Sequence, residues 1–508
     1  MAGTVDSSNP KNIELEILTI VNNEGDGFDI RDVMLECNIY ESISRNFLLG
    51  ECIISDSVAL LENAKLFGQE SIRIRFKQAT GSGDEPHIDD TIDQVFRIYK
   101  IDSVTRLDSA SQVFKINFCS TEMLASKRIR ISQAFRGSLT DIAAQIAEDH
   151  LKIVNKNLDT KCTPYFQVRE KSDKDNYHVV IPNWSAGYAI NWLCKRAQGT
   201  DSNSGLQDSF FWYQTANGSY RISSLASMMK VNYAGGRPFS YASVNAADGK
   251  DEPYDITLEK TQGHSGNIGM GRRILSYEVR SHADVLKGVI NGLFASKQTT
   301  IDNTYKFFTE KTYNFLEKHF SRRSSIEAHP FVRTQPEILW IGGPAGEIEV
   351  GASSCSPGDI TAYRDSSRPG KGKTISDYPD AHQILTSDSA YVNDATNKIW
   401  QSNHRTHLGQ IQFRAAAKEL LEYYTISLVL SARTDISVGT LINLDIPAVR
   451  PGGEVEEPKF NNGRHLITEL AWNINAKHEC TLSVKCIKDS VINNIETTVM
   501  EYGESSNV

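Results

Sequence analysis

Cysteine is scarce in this sequence of 508 residues, which contains eight. No two of them form a CxxC pair, and Cys480 and Cys486 lie in alternating, strand-like sequence. Disulfide frameworks are typical of small secreted domains with many closely spaced cysteines. We therefore predict reduced thiols that are mostly buried, as in a protein that folds in the cytoplasm.

Long hydrophobic runs and an excess of positive charge are also missing. Mean hydropathy is −0.37, and no run approaches the roughly 18 apolar residues of a membrane-spanning helix. Residues 1–11 are small and polar, so a signal peptide is not expected. Lys plus Arg number 54 against 63 Asp plus Glu, a net charge of −9, which argues against a protein that coats nucleic acid. The length suggests roughly three or four domains.

Known binding and catalytic motifs occur only in incomplete form. Residues 369–374 read PGKGKT, but Ser367 stands where a phosphate loop needs its first glycine. His404 and His407 have no acidic or cysteine ligand at a spacing that would complete a tetrahedral metal site. Residues 263–271 are rich in glycine without the GxGxxG spacing, and GxSxG and HExxH are absent. We predict no catalytic, cofactor-binding or metal-binding residues.

Alternating sequence near the N-terminus predicts β-strands. Ile72, Ile74 and Phe76 alternate with Arg73 and Arg75, as a half-buried strand requires. The same period of two occurs around residues 13–17 and 114–118.

Helical spacing begins after about residue 122. Ser138 and Asp141 form the start of a capping motif, and Leu139, Ile142 and Ile146 follow at helical intervals. A second helix is predicted near 185–197. Residues 210–213 (FFWY), the Asn217-Gly218 turn and residues 220–222 predict a β-hairpin. Its aromatic side chains are expected to pack a core rather than to stack on bases or sugars.

The sequence also indicates an internal duplication. Each copy consists of a strand, a 17-residue polar loop, a second strand, a short turn and a third strand. The segments of the first copy are 71–77, 78–94, 95–106, 107–111 and 112–119, and those of the second are 440–447, 448–464, 465–474, 475–479 and 480–488. Two β units of matching layout suggest a duplicated β-barrel separated by an inserted module.

A long insertion precedes the second copy. Residues 284–320 are mostly polar with scattered apolar positions, and we predict one or two surface helices there. Residues 327–404 are rich in Gly, Pro, Ser and Asp and lack periodicity. Such a run is unusual inside a compact domain and indicates a functional insertion.

Several blocks, in this order, resemble the baseplate central hub protein of contractile-tailed bacteriophages, which is related to the hub part of contractile injection system spike proteins. The blocks are residues 135–142 (FRGSLTDI), 183–193 (NWSAGYAINWL) with Arg196 and Ala197, the hairpin at 210–222, 463–470 (GRHLITEL) and 481–489 (TLSVKCIKD). The resemblance covers about residues 13–491.

The resemblance implies a structural role. Hubs of this family are homotrimers in which each subunit carries two tail-tube-like β-barrels, so three chains form a pseudo-six-fold ring. Such a ring would join the tail tube, or a tube-initiator protein, to a central spike protein and contact other baseplate proteins. DNA would pass through its lumen without specific binding during genome ejection. The implied location is the tail baseplate of a virion, after synthesis in the host cytoplasm, and no enzymatic activity or cofactor is implied.

The predicted fold class is α+β, mainly β, with two tail-tube-like β-barrel domains, an inserted α+β module and a helical and loop-rich insertion. The predicted divisions are 1–121 (first barrel), 122–250 (α+β module), 251–283 (strands returning to the second barrel), 284–404 (insertion) and 405–508 (second barrel and tail).

Two other functions remain open on the sequence. One is a tail-associated hydrolase of cell-wall polymer, with a carboxylate pair in the middle module. The other is an oligonucleotide-binding protein, because small barrels and aromatic side chains suit single strands. The acidic balance disfavours the second.

Overall fold

The structure is a computed structural model that describes a defined set of residues. These are residues 11–78, 91–108, 111–153, 165–168, 172, 177–197, 199, 209–229, 239–241, 273–302, 307–315, 326, 329–330, 379–387, 391–393, 400–402, 411–446 and 461–491.

The first β unit contains seven strands and one short helix. They are β1 (Ile13–Val21), β2 (Gly27–Asp29), β3 (Met34–Ser42), β4 (Leu49–Asp56), α1 (Leu60–Asn63), β5 (Ser71–Gln78), β6 (Ile92–Arg106) and β7 (Gln112–Ser120). The strand order is β2-β1-β5-β6-β7-β4-β3, and every pairing is antiparallel. Ile72, Ile74 and Phe76 of β5 are fully buried, which confirms the predicted alternation.

The middle module mixes helices and short sheets, as predicted. Its elements are α2 (Thr121–Arg128), β8 (Arg130–Gly137), α3 (Leu139–Leu151), β9 (Tyr165–Val168), β10 (Tyr177–Ser185), α4 (Ala186–Cys194), β11 (Phe210–Gln214), β12 (Ser219–Ser224) and α5 (Leu225–Met228). The predicted start of α3 is confirmed, because the Ser138 side chain accepts a hydrogen bond from the Asp141 backbone N–H at 3.2 Å. The predicted hairpin is β11 paired with β12.

The remaining elements return to β structure. They are β13 (Phe239–Tyr241), β14 (Arg273–Ser281), α6 (Val285–Ile290), β15 (Ala295–Asp302), β16 (Phe307–Asn314), β17 (His329–Pro330), β18 (Gln383–Ser387), β19 (Tyr391–Asn393), β20 (Trp400–Ser402), α7 (Ile411–Tyr423), β21 (Tyr424–Ser431), β22 (Leu441–Asp445), β23 (Gly463–Asn475), β24 (Cys480–Lys488) and β25 (Ser490–Val491). Six of these strands close a ring in the order β13-β14-β21-β24-β23-β22, because β13 also pairs with β22. The second unit is therefore a barrel, and the described part of the chain is mainly β with few helices, as predicted.

The two β units share the order of five antiparallel strands. The order β5-β6-β7-β4-β3 corresponds strand by strand to β22-β23-β24-β21-β14, whereas β1 is antiparallel to β5 and β13 is parallel to β22. Irregularities also coincide, because β3 has a bulge between Met34 and Glu36 and β14 has one between Ile274 and Ser276. Bulges after Ile98 in β6 and after Ile467 in β23 match in the same way. Matching bulges are a register-level sign of duplication.

The predicted loops 78–94 and 448–464 join equivalent strands, β5 to β6 and β22 to β23. Their central parts lie outside the described residues. Both following strands begin earlier than predicted, at Ile92 and Gly463.

One strand joins the two units into a 13-stranded sheet. The first residues of β23, Gly463 to Leu466, pair with β22 of their own unit. Its last residues, Glu469 to Asn475, pair with β3 of the first unit. The buried apolar residues of both units consequently form one continuous core.

The predicted helices at 284–320 are wrong beyond the first turn and a half. After α6 the chain forms the β15–β16 hairpin, and β18 adds a parallel strand. The alternating residues Ser296, Gln298 and Thr300 are buried although they are polar. All three side chains take part in hydrogen bonds, such as that between the Thr300 and Thr386 hydroxyls at 2.9 Å. Because these residues are polar, a search for apolar periodicity overlooks this strand.

Candidate functional site

The sheet that spans both units has one polar face. Strands β14, β21, β24, β23, β3, β4, β7 and β6 follow each other in this order, and their alternate side chains point away from the core. The polar residues on this face are Glu278, Ser427, Lys485, Glu469, Asn473, Tyr40, Asn38, Glu36, Glu51, Asn117, Lys115, Asp102 and Lys100. We call this surface the polar face. Among the intervening side chains, Ile39 and Trp472 are fully buried.

Each lysine of the polar face has a carboxylate partner. Lys485 Nζ lies 3.4 Å from Glu469 Oε1, and Lys115 Nζ lies 2.5 Å from Glu51 Oε2. Lys100 pairs with Asp102. The polar face thus carries five carboxylates and three lysines, and each of these lysines is neutralised by a neighbouring carboxylate rather than offered to a phosphate.

Glu51 links three strands of the polar face. Its carboxylate accepts a hydrogen bond from the Tyr40 hydroxyl at 2.9 Å, and Lys115 pairs with the same group. Burial raises the pKa of this carboxyl, but the hydrogen bonds from Lys115 and Tyr40 outweigh it, so the pKa of Glu51 is lowered. Glu51 consequently stays ionised well below neutral pH.

A second carboxylate, Glu41, lies behind the polar face where three parts of the chain meet. It is 2% exposed. It accepts hydrogen bonds from the backbone N–H of Ala216 in the middle module at 2.9 Å and of Val438 in the second unit at 2.8 Å. Arg221 donates to the Ser437 hydroxyl at 3.1 Å beside it. Glu41 therefore ties the first unit to both the middle module and the second unit.

The ionisation of Glu41 is finely balanced. Burial raises the pKa of this carboxyl to about 7, although the two backbone hydrogen bonds and the Arg221 charge oppose the rise. A carboxylate offers acceptors to both N–H groups, whereas a carboxylic acid turns one oxygen into a donor. Protonation of Glu41 would therefore change the hydrogen bonding of the junction.

The middle module docks on the first unit through β11. The Gln214 side chain accepts a hydrogen bond from the Leu48 backbone N–H at 3.0 Å and another from the Ser120 hydroxyl. Phe47 meets Trp212 edge to face, with 5.3 Å between the ring centroids. The module is thus held by polar and aromatic contacts together.

The aromatic hairpin packs a core, as predicted. Trp212 is 2% exposed and Tyr213 fully buried. Trp212 stacks on Tyr220 with 6.0 Å between the ring centroids. Because these rings are buried inside the protein, they cannot stack on bases or sugars.

The six described cysteines, 37, 52, 119, 194, 480 and 486, are free and buried, in agreement with the prediction. Cys162 and Cys355 lie outside the described residues, as do residues 263–271, 369–374, His404 and His407. Among the residues that the structure describes, no cluster of His, Cys, Asp and Glu could hold a metal ion. In the same part of the chain, no helix has the length and apolar character needed to cross a membrane.

Sequence reasoning identified neither the polar face nor Glu41. The polar face could have been found by aligning both β units strand by strand, since its members occupy alternate positions. Glu41 has no such signal, because its partners are 175 and 397 residues away.

Comparisons with known proteins give matches at the level of backbone structure. No protein-family model matches the sequence, and no curated protein gives a significant match. A tail protein from Neisseria meningitidis MC58 matches with a TM-score of 0.45 and 7% identity, over 93% of this chain and 96% of that one. The 43 kDa tail protein of prophage MuSo2 from Shewanella oneidensis matches with a TM-score of 0.45 and 8% identity, over 93% and 98%.

The E. coli c3393 protein has a TM-score of 0.36 and 8% identity, over 94% of this chain and 77% of that one. It is described as a component of the type VI secretion system with structural similarity to bacteriophage T4 tail proteins. The structural neighbours of this chain thus include phage tail proteins and a secretion-system component.

Proposed function

We propose that this chain is the structural hub of a contractile-tail baseplate. Three copies would form a pseudo-six-fold ring that joins the tail tube to a central spike and lets DNA pass during ejection. The sequence resemblance supports this role. The observation that carries it is the register-level duplication of the two β units.

Duplication within one chain suits a protein that adapts one symmetry to another. A six-fold tube presents six equivalent positions, and a three-fold spike presents three. A trimer can offer six equivalent strand units only if each chain contains two copies. The matching strand orders and bulges supply such copies.

The polar face suits the wall of a passage for DNA. A wall with many unmatched lysines would bind phosphates and slow the transit of a polyanion. On the polar face, Lys115, Lys485 and Lys100 are each neutralised by a neighbouring carboxylate. DNA would therefore pass without specific binding.

The loops 78–94 and 448–464 would lie at equivalent positions around the ring, because they join equivalent strands. We propose that they contact the tube or the spike, while residues 284–404 contact other baseplate proteins. Deleting either loop should weaken tube or spike binding in a pull-down while leaving trimer formation intact. Unchanged binding by both deletion variants would contradict this role.

Solution mass measured by light scattering tests the assembly. The purified chain should have a mass near that of three chains and should bind its spike protein. A monomer that does not bind the spike would contradict the proposal. We also propose that the chain is not an enzyme, and a zymogram on cell-wall polymer should show no clearing. Clearing that is lost on a single carboxylate substitution would favour the hydrolase.

A further inference from the structure

In the described part of the chain, two long strands pair on one side only over part of their length. β6 pairs with β5 up to Arg97, and beyond Ile98 its ladder continues with β7 alone. β14 pairs with β13 only at its first two residues, while its other side pairs with β21 up to Ser281. Unpaired strand edges are templates for pairing with another chain.

A ladder within the chain, which we call the internal joint, shows how such edges can pair. β23, the counterpart of β6, pairs through its second half with β3, the counterpart of β14. Asn473 lies opposite Asn38, and Trp472 lies opposite Ile39. This ladder joins the second unit of a chain to its own first unit.

The β6 and β14 edges correspond to the paired edges of β23 and β3. Thr105 corresponds to Asn473, because each lies opposite the same position of its β7 or β24 partner. Glu278 corresponds to Asn38, since both follow the matching bulge by the same number of residues. β6 has an additional bulge between Asp102 and Thr105 that β23 lacks. Beyond this bulge, transferring the internal joint sets Thr105 opposite Glu278.

We infer that the second half of β6 in one subunit pairs, antiparallel, with β14 of a second copy of this chain, with Thr105 opposite Glu278. This inference rests on the proposed function and specifies the contact that closes its ring. The contact is heterologous, since each subunit offers β6 to one neighbour and β14 to the other, as a closed cyclic assembly requires.

Apolar side chains along the open edge of β6 are exposed, as expected for a surface that a second copy of the chain would cover. Val104, which precedes Thr105, is 54% exposed, whereas Trp472, which precedes the equivalent residue Asn473, is fully buried. Tyr99, earlier in β6, and Leu107, directly after the strand, are 45% and 64% exposed. Large exposed apolar side chains along and just beyond one open strand edge indicate an interaction surface.

The polar side of the edge also suits the joint. Glu278 and Arg280 lie on β14 with most of their side chains exposed, and Lys100 and Asp102 lie on β6. The β14 edge thus brings one charge of each sign, and the β6 edge brings Asp102 together with Lys100 and Arg106, so neither edge carries a run of like charges. The joint would extend the polar face from one subunit to the next.

A designed disulfide tests the register. Residues directly opposite in an antiparallel ladder have Cα atoms about 4.5–5.5 Å apart, within the range that a disulfide spans. The double variant Thr105→Cys with Glu278→Cys should, after mild oxidation of the assembled protein, run as a covalent trimer on a non-reducing gel. The unmodified chain, treated in the same way, measures the cross-linking that its own cysteines produce.

Two matched variants control the geometry. Asn38→Cys with Asn473→Cys places the pair at the internal joint, so it should cross-link within one chain and leave the gel mass monomeric. Thr105→Cys with Ser281→Cys sets the partners three residues out of register, about 10 Å apart, and should not cross-link.

The outcomes separate this inference from the proposed function. A chain that is trimeric by light scattering, but whose Thr105–Glu278 variant stays monomeric on the gel, would overturn the β6–β14 joint and leave the trimer standing. Equal cross-linking of the out-of-register pair would also overturn it. A chain that is monomeric by light scattering would refute both.

Discussion

Replacing Glu41 by Gln should change how stability depends on pH. The folded pKa of about 7 exceeds the ordinary value of 4.5 because the side chain is buried. The folded state therefore holds a proton that the unfolded chain releases between these values. Stability from this group is fully present below pH 4.5 and is lost as pH rises through 7.

The size of the effect follows from the two pKa values. At 1.36 kcal/mol per pKa unit, the separation between 4.5 and about 7 corresponds to about 3 kcal/mol of unfolding free energy. Glutamine resembles the protonated acid and does not titrate. The Gln variant should therefore match the parent near pH 4.5 and exceed its stability by about 3 kcal/mol at pH 8.

Urea unfolding followed by tryptophan fluorescence, from pH 4.5 to 8, measures this difference. Trp472 lies beside the junction and donates its indole N–H to the Arg433 carbonyl at 3.0 Å, so its emission reports on this region. Subtracting the variant from the parent removes the other titrating groups. Glu51→Gln is the matched control, and because the pKa of Glu51 is lowered it should lose stability at neutral pH. An unchanged pH slope in the Glu41 variant would refute the role of Glu41.

Three further substitutions test the packing. Gly439→Ala should lower the free energy of unfolding by about 2–4 kcal/mol in thermal melts, because φ is +72° and the new Cβ would lie 2.3 Å from the Tyr213 hydroxyl oxygen. Gly25→Ala is the control: its φ is +94° but the space around it is open, so the loss should be only about 1 kcal/mol. Trp472→Ala should cost about 3–5 kcal/mol by urea titration, since the side chain is fully buried, and a loss below 1 kcal/mol would contradict its place in the core. Ser138→Ala should cost about 1 kcal/mol through its cap on α3, whereas Ser138→Asp should retain stability.

Local sequence patterns predicted the parts of the fold that local physics determines. The alternation of Ile72, Ile74 and Phe76 gave β5, and Ser138 with Asp141 gave the start of α3. The repeat of β5 to β7 in β22 to β24 was also visible, because strand and turn lengths recur. Each of these signals lies within a few residues of the structure that it predicts.

Long-range pairing was beyond sequence reasoning. Nothing local indicates that Asn473 lies opposite Asn38, since the two are more than 400 residues apart. Glu41 has an ordinary strand sequence around it, and only the folded chain brings Ala216 and Val438 to its carboxylate.

One helix was overlooked although the sequence indicates it. Residues 411–423, IQFRAAAKELLEY, contain strong helix formers, and Ala416 and Leu420 lie four residues apart on the buried side of α7. The predicted second barrel and tail, 405–508, included these residues without assigning them to a helix.

The central claim is that three chains present six equivalent β units around an open passage. Electron-microscopy class averages of the purified chain, viewed along the symmetry axis, test it most directly. We expect a ring of six similar lobes with a central hole and a mass near three chains of 56.6 kDa each. Two-lobed particles with the mass of a single chain, and no rings at any protein concentration, would contradict the trimeric ring.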